Sequence, residues 1–191
     1  QKSEKVNQPG YNIKGGVNYN ITRNHNLFAN AGYYERQPFF GAVFLNNTND
    51  VNPGLTNEKV ASFEVGYGFR SSKVNANLNL YHTSWNDIYR RLSFRDATTN
   101  LAYQANLLGL NQVHKGIEFD ITYRPLKIIG FDGMISVGDF KYKGNPSATF
   151  IDDQNNQNVG STTLYLDGLK VGDAAQFTSS IGTDIYPTDW L

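Results

Sequence analysis

Residues 60–80 have the sequence VASFEVGYGFRSSKVNANLNL. From Ala61 to Phe69 the odd positions are apolar or aromatic, whereas the even positions from Ser62 to Arg70 are polar, charged or glycine. Successive side chains of a β-strand point to opposite faces, so this alternation predicts a strand with one apolar and one polar face. After residues 71–73 the pattern resumes, with apolar residues at 74, 76, 78 and 80 and asparagines at 75, 77 and 79. Buried amides need hydrogen-bond partners, so the asparagine-bearing face is predicted to be wet.

The same two-faced pattern recurs along the chain. We predict about seven strands, near residues 11–21, 27–34, 60–70, 74–81, 112–123, 131–137 and 176–185. The facing of residues 27–34 is ambiguous because aromatic residues occupy both faces. The predicted strands are roughly as long as the about 9–11 residues that a tilted membrane-spanning strand needs, whereas soluble strands average about 5–6.

The connections between these strands alternate in length. Short turns are predicted at Arg23–Asn26, Ser71–Lys73 and Arg124–Lys127, and long loops at residues 37–59, 86–111 and 141–174. Outer-membrane barrels sort their connections in this way, with short periplasmic turns and long extracellular loops. A soluble β-sandwich with one solvated face is the alternative, but strand length and loop sorting favour the membrane. We therefore predict an all-β, antiparallel, up-and-down transmembrane β-barrel sector.

The composition excludes several classes of function. The 191 residues contain 17 basic and 17 acidic residues. A nucleic-acid-binding protein is expected to carry an excess of basic residues instead. There is no Cys, hence no disulfide framework or thiolate metal site. The 3 histidines lack metal-ligand spacing, and the acidic run Asp152–Asn158 fails the EF-hand pattern because Leu164 stands where the closing Glu belongs. We expect no metal, no cofactor and no enzyme activity.

Four short motifs carry a resemblance to a known family. Asn52-Pro53-Gly54-Leu55-Thr56-Asn57-Glu58 leading into Phe63-Glu64-Val65-Gly66-Tyr67 resembles a recurrent segment of TonB-dependent outer-membrane receptors. Three further segments resemble the same family in the same order along the chain, namely residues 30–39, 115–118 and 172–177. Asn57 and Ala175 stand where the family often has Pro. The resemblance covers most of the chain. Within the family, the motifs resemble those of receptors of the Bacteroidetes type.

The resemblance implies a fold and a mode of action. The family barrel has about 22 strands and is plugged by an N-terminal domain. Residues 1–191 are accordingly expected to be a fragment from the C-terminal half of one such barrel domain, without the plug, because Gln1 and Leu191 look like cut ends. The implied partners are outer-membrane lipid, the receptor's own plug domain and TonB through missing regions, and a small-molecule or glycan ligand. The implied location is the bacterial outer membrane.

The implied function is active transport. The whole receptor would bind a scarce extracellular ligand (a ferric siderophore, haem, cobalamin or a glycan) and import it with energy transmitted by TonB. A passive porin-type channel and a soluble β-rich binding module are the alternatives. An outer-membrane hydrolase would require a catalytic constellation that this sequence does not contain.

Two groups of residues are the candidate sites. Binding residues concentrate on loops held by a rigid scaffold, and arginines beside aromatic rings suit anionic or planar ligands. The ligand-binding candidates are therefore the aromatic and arginine residues of the predicted loops: Phe39, Phe40, Tyr89, Arg90, Arg91, Arg95 and Tyr103. A second interpretation has the same weight as ligand binding. In it the arginines bind lipopolysaccharide phosphates, and the aromatic rings pack between neighbouring loops. The candidates for a face that lines the lumen or contacts the plug are Glu64, Arg70, Asn77, Glu118 and Asp120.

Overall fold

The computed structural model describes residues 2–187, so the expected cut ends at Gln1 and at Trp190–Leu191 lie outside the described residues. The fold is almost entirely β, and α1 (Phe40–Val43) and a 3₁₀ helix (Leu45–Asn47) are short. The strands are β1 (Asn12–Asn20), β2 (His25–Arg36), β3 (Glu58–Arg70), β4 (Val74–Arg95), β5 (Ala102–Leu126), β6 (Ile129–Lys143), β7 (Ser147–Asp152), β8 (Asn158–Thr163) and β9 (Phe177–Ile185). In this part of the chain no helix has the length and apolar character needed to cross a bilayer.

The strands form one open antiparallel sheet. Its order is β1-β2-β3-β4-β5-β6-β9, which is the predicted up-and-down arrangement. The seven strands of this order correspond to the seven predicted strands, and the sheet of the described residues has 9 strands in total. The two additional strands, β7 and β8, pair with each other, and β7 also pairs with β5. Both lie within the predicted loop 141–174, where the short polar segments lack the alternation that identifies the longer strands.

The strand register confirms the two faces. Val65 lies opposite Leu80, and Tyr67 opposite Leu78, on the apolar face. The ambiguous β2 is resolved by its pairing with β3, since Leu27 lies opposite Tyr67 and Phe28 opposite Gly66. Leu27 therefore belongs to the apolar face. Phe28 lies on the polar face, where a glycine neighbour leaves room for its ring.

The three short turns occur close to their predicted positions. The turn at 71–73 is as predicted. The first connection covers residues 21–24 and the third covers 127–128, so their ends differ from the predictions by one to three residues. All three lie at the same end of the sheet, as an up-and-down topology requires.

The prediction of an irregular loop at residues 86–111 is wrong. β4 is 22 residues long and β5 is 25, so these strands continue as a hairpin that leaves only residues 96–101 as the connection. Two register shifts interrupt the pairing, one between Trp85 and Ile88 and one between Ile88 and Arg90. Asp87 and Gly109 adopt positive φ angles of 59° and 70° at these shifts. The bulges disrupt the period of two, and for that reason the strands could not be recognised from the sequence.

Candidate functional site

The long connections pack together into a body with its own core. Every buried apolar residue of the described chain lies in one of the three predicted loops: Ala42, Phe44, Ile88, Ala105, Leu107, Leu110, Ala148, Ile151 and Val171. Phe150 and Leu164 pack against the cluster formed by Ala105, Leu107 and Ala148. We call this body the loop core. A packed core restricts loop motion, so the side chains that the loop core presents are held in fixed positions.

Polar contacts join the three segments of the loop core. The Asn106 amide donates a hydrogen bond of 2.9 Å to Asn46 Oδ1, and the Tyr89 hydroxyl donates one of 2.7 Å to Asn106 Oδ1. Gln104 Nε2 donates to Asp153 Oδ1 in the third segment. A tyrosine hydroxyl is protonated at neutral pH and can donate, and burial raises the pKa of the Tyr89 hydroxyl further.

A cavity of about 210 Å³ opens where the loop core meets the polar face of the sheet. Arg36 and Glu58 form an ion pair there, and the Glu58 side chain is only 3% exposed. The Arg36 guanidinium also lies 4.7 Å from the centroid of the Phe39 ring. The cavity is lined by three predicted ligand residues, Phe39, Tyr89 and Arg90, and by Arg36, Glu58, Trp85, Ile88, Gln112, His114 and Asp173.

Two residues that line this cavity, Trp85 and His114, belong to a row of stacked aromatic rings. Trp85 stacks on His114 with centroids 6.3 Å apart, and His114 stacks on Phe140 at 4.6 Å. These residues lie on the neighbouring strands β4, β5 and β6. Aromatic rings and a few polar groups in a concave site are typical of ligand pockets. Aromatic residues on the polar face near the strand ends were the signal in the sequence that could have identified Trp85 and His114.

The structure separates the other predicted ligand residues. Across the hairpin Arg90 lies opposite Leu107, Arg91 opposite Asn106 and Arg95 opposite Ala102. Alternation therefore places Arg90 on one face of the hairpin and both Arg91 and Arg95 on the other. Tyr103 pairs with Phe94 on the Arg90 face, and Phe40 is 77% exposed beside a different hollow.

The five residues predicted to line the lumen or contact the plug share the polar face of the sheet. Asn77 lies opposite Asp120 and donates a hydrogen bond of 2.9 Å to its carboxylate. Glu118 accepts from Ser136 at 3.4 Å. Glu64 accepts from Asn30 at 3.3 Å, and Arg70 Nε lies 3.5 Å from Asn75 Oδ1. Residues 2–187 contain no group of three or more His, Cys, Asp or Glu side chains placed to hold a metal ion.

The sheet is an antiparallel meander of long strands with one apolar and one polar face, and its folded connections lie at one rim. This combination is typical of the wall of an outer-membrane β-barrel. Residues 2–191 match a family model described as "TonB dependent receptor-like, beta-barrel". The chain belongs to this TonB-dependent receptor β-barrel family. No curated protein and no solved structure matches it.

Family membership settles several sequence predictions. Members reside in the bacterial outer membrane and are transporters rather than enzymes, and their transport is energised through TonB. The soluble-module alternative is therefore wrong. The Bacteroidetes type stays a prediction.

Proposed function

We propose that residues 1–191 form one part of the barrel wall of a receptor that binds a scarce extracellular ligand and imports it with TonB-transmitted energy. The ligand belongs to one of four classes: ferric siderophores, haem, cobalamin and glycans. The polar face turns toward the lumen and the plug domain, while the loop core faces the outside. In this proposal the chain supplies ligand contacts and walls, and it performs no bond chemistry.

The observation that carries the proposal is the cavity between the loop core and the polar face. It combines aromatic surface from Trp85 and Phe39 with two cationic and two anionic side chains: Arg36, Arg90, Glu58 and Asp173. Because these charges balance, the cavity suits a ligand that makes stacking contacts and several directed hydrogen bonds. Its position at the outer rim is where a ligand would first meet the receptor.

Uptake by the full-length receptor tests the transport step. The receptor is produced in a bacterial host that lacks its own outer-membrane receptors, with and without TonB. One labelled representative of each of the four ligand classes is then supplied. We expect saturable uptake of one class that disappears without TonB. Equal uptake in the two hosts would indicate a passive channel and would overturn the proposal.

A matched pair of arginine variants tests the site. Arg90 and Arg95 are both exposed residues of the same hairpin, but only Arg90 lines the cavity. Arg90→Ala is expected to weaken binding of the transported ligand by about 10- to 150-fold, since a charge-assisted hydrogen bond contributes roughly 1.5–3 kcal/mol. Arg95→Ala serves as the control and should leave the affinity unchanged. Equal losses in the two variants would show that the cavity is not the ligand site.

A further inference from the structure

The apolar face of the sheet ends in a cluster of lysines. On this face Ile117 lies opposite Val137, and the next pair toward the loop core is Lys115 opposite Asp139. Lys141 follows two residues later on β6 and lies opposite Lys170 in an isolated antiparallel bridge. Because directly paired residues share a face of a sheet, Lys115, Lys141 and Lys170 lie on the lipid-facing side. We call these three residues the lysine cluster.

Among the described residues, Asp139 is the carboxylate that forms ion pairs with the cluster. Asp139 is paired with Lys141 at 2.9 Å and with Lys115 at 3.8 Å, so one carboxylate serves two ammonium groups. Lys170 adds a third positive charge, and Lys143 stands two residues beyond Lys141. Lys141 and Lys170 lie directly opposite each other, and like charges in such a pair repel. An external anion between them would reduce the repulsion that the single Asp139 carboxylate leaves.

The position of the cluster indicates which anion is available. The apolar band below it contains exposed Ile117, Ile135 and Val137, and Lys141 lies roughly 13 Å along the strand from Val137. The Lys115 and Lys141 side chains are 58% and 40% exposed. The cluster lies toward the loop core, which is the rim opposite the short turns. Ammonium groups at the upper edge of an apolar band stand at the level of the headgroups in the outer leaflet.

We propose that the lysine cluster is a binding site for the phosphate groups of the phosphorylated glycolipid that forms the outer leaflet, with the acyl chains of that lipid packed on the apolar band below. The lysines act as point charges for phosphate, and the contacts are made on the side of the barrel away from the lumen. The site thus anchors the outer rim of the receptor to its membrane. It is separate from the ligand cavity on the polar face.

A charge-matched pair of double variants tests the site in the full-length receptor, purified in detergent. Lys141→Gln/Lys170→Gln removes two charges from the cluster. Lys73→Gln/Lys127→Gln removes two charges from the short turns at the opposite rim. Binding of bis-phosphorylated lipid A, of its dephosphorylated form and of inorganic phosphate is measured by native mass spectrometry and titration.

We expect the cluster variant to bind bis-phosphorylated lipid A about 10- to 30-fold more weakly, since each basic residue near an anionic surface contributes about fivefold in affinity. The turn variant should bind like the unaltered receptor, and Lys141→Arg/Lys170→Arg should retain binding. Tight binding of the dephosphorylated lipid, or of inorganic phosphate alone, would overturn the proposal, as would equal losses in the two double variants. Unchanged thermal unfolding of the cluster variant in detergent would show that a loss reflects binding and not folding.

Discussion

At the scale of single residues, the polar face is shaped by glycines that lie beneath aromatic rings. The Phe28 ring lies over Gly66 of the neighbouring strand, and a Cβ at Gly66 would overlap that ring. The Tyr81 hydroxyl occupies the equivalent space beside Gly116, 2.6 Å from where a Cβ would stand. These glycines are required for close approach of a ring and not for an unusual backbone angle, so their role depends on the neighbouring strand.

Replacing Gly66 with valine tests this arrangement. Gly66→Val is expected to destabilise the full-length receptor by about 1–3 kcal/mol, because the added methyl groups displace the Phe28 ring and the Asn79 side chain. Thermal or urea unfolding of the receptor in detergent measures the loss. Gly15→Val is the control, since nothing lies within 4 Å of a Cβ at Gly15. Combining Gly66→Val with Phe28→Ala should restore part of the stability, and failure of this rescue would contradict the overlap.

Asn106 is the residue that joins two segments of the loop core. It is 3% exposed and contacts both Asn46 and Tyr89. Asn106→Leu leaves the buried Asn46 oxygen and the Tyr89 hydroxyl without these partners, which costs about 1–3 kcal/mol. Hydrogen exchange across residues 86–111 should accelerate in this variant while strands β1 to β3 keep their protection. The exposed Asn49 provides the control substitution, Asn49→Leu, and a comparable acceleration there would contradict the assigned role.

At the scale of elements, the sequence predicted the membrane strands better than the external ones. The predicted strand 60–70 agrees with β3 (Glu58–Arg70) because a membrane strand keeps one apolar and one polar face along its whole length. The hairpin of β4 and β5 beyond residue 86 was missed because its two bulges exchange the faces. β7 and β8 were missed because each has only 6 residues. In addition, β8 is fully exposed, so it has no buried apolar face that would produce an alternating pattern in the sequence.

The candidate site was predicted only in part, for a related reason. Phe39, Tyr89 and Arg90 meet in the cavity although they come from different connections, but Arg91 and Arg95 do not line it. Residue type alone cannot separate neighbouring arginines, because the face that each occupies depends on the register beyond the bulges. Glu58 and Arg36 were also missed, since their pairing joins strands β2 and β3 and has no local sequence pattern.

The tip of the β4–β5 hairpin is an element whose stability should depend on pH. The Thr99 backbone N–H, the Thr99 hydroxyl and the Thr98 backbone N–H donate to the Asp96 carboxylate and lower its pKa. A carboxyl whose pKa is lowered by folding stabilises the turn above its ordinary pKa, and this contribution disappears as the pH falls through the lowered value.

The expected outcome is that protection of the Thr98 and Thr99 amides decreases below about pH 4, after correction for intrinsic exchange. Hydrogen exchange of the full receptor between pH 6 and pH 3 measures it. Asp96→Asn keeps the acceptor but cannot titrate, so its protection should not change in this manner. Asp96→Ala should show weak protection at every pH. A steep loss in Asp96→Asn would show that another group is responsible.

At the scale of the whole molecule, the edges and the apolar face of the open sheet indicate a closed barrel in a bilayer. In the described residues the outer edges of β1 and β9 have no neighbouring strand, and the apolar face exposes large side chains such as Ile13, Val17 and Ile181. Edges of this length are pairing sites for further strands, and such a face requires lipid. In the receptor proposed above, further strands of the barrel pair with these edges and the bilayer covers the apolar face. The two rims then stand on opposite sides of the outer membrane.

The orientation of the rims can be tested because the chain has no Cys. Single cysteines are introduced into the full-length receptor, with any cysteines elsewhere replaced, at Asn155 in the β7–β8 turn and at Ser72 in the short β3–β4 turn. Both positions are exposed, so differences in labelling report location and not burial. In intact cells a membrane-impermeant maleimide should label Asn155→Cys only. Ser72→Cys should be labelled after the outer membrane is permeabilised, because short turns of such barrels face the periplasm. The reverse pattern would invert the barrel and would place both the ligand cavity and the lysine cluster at the wrong rim.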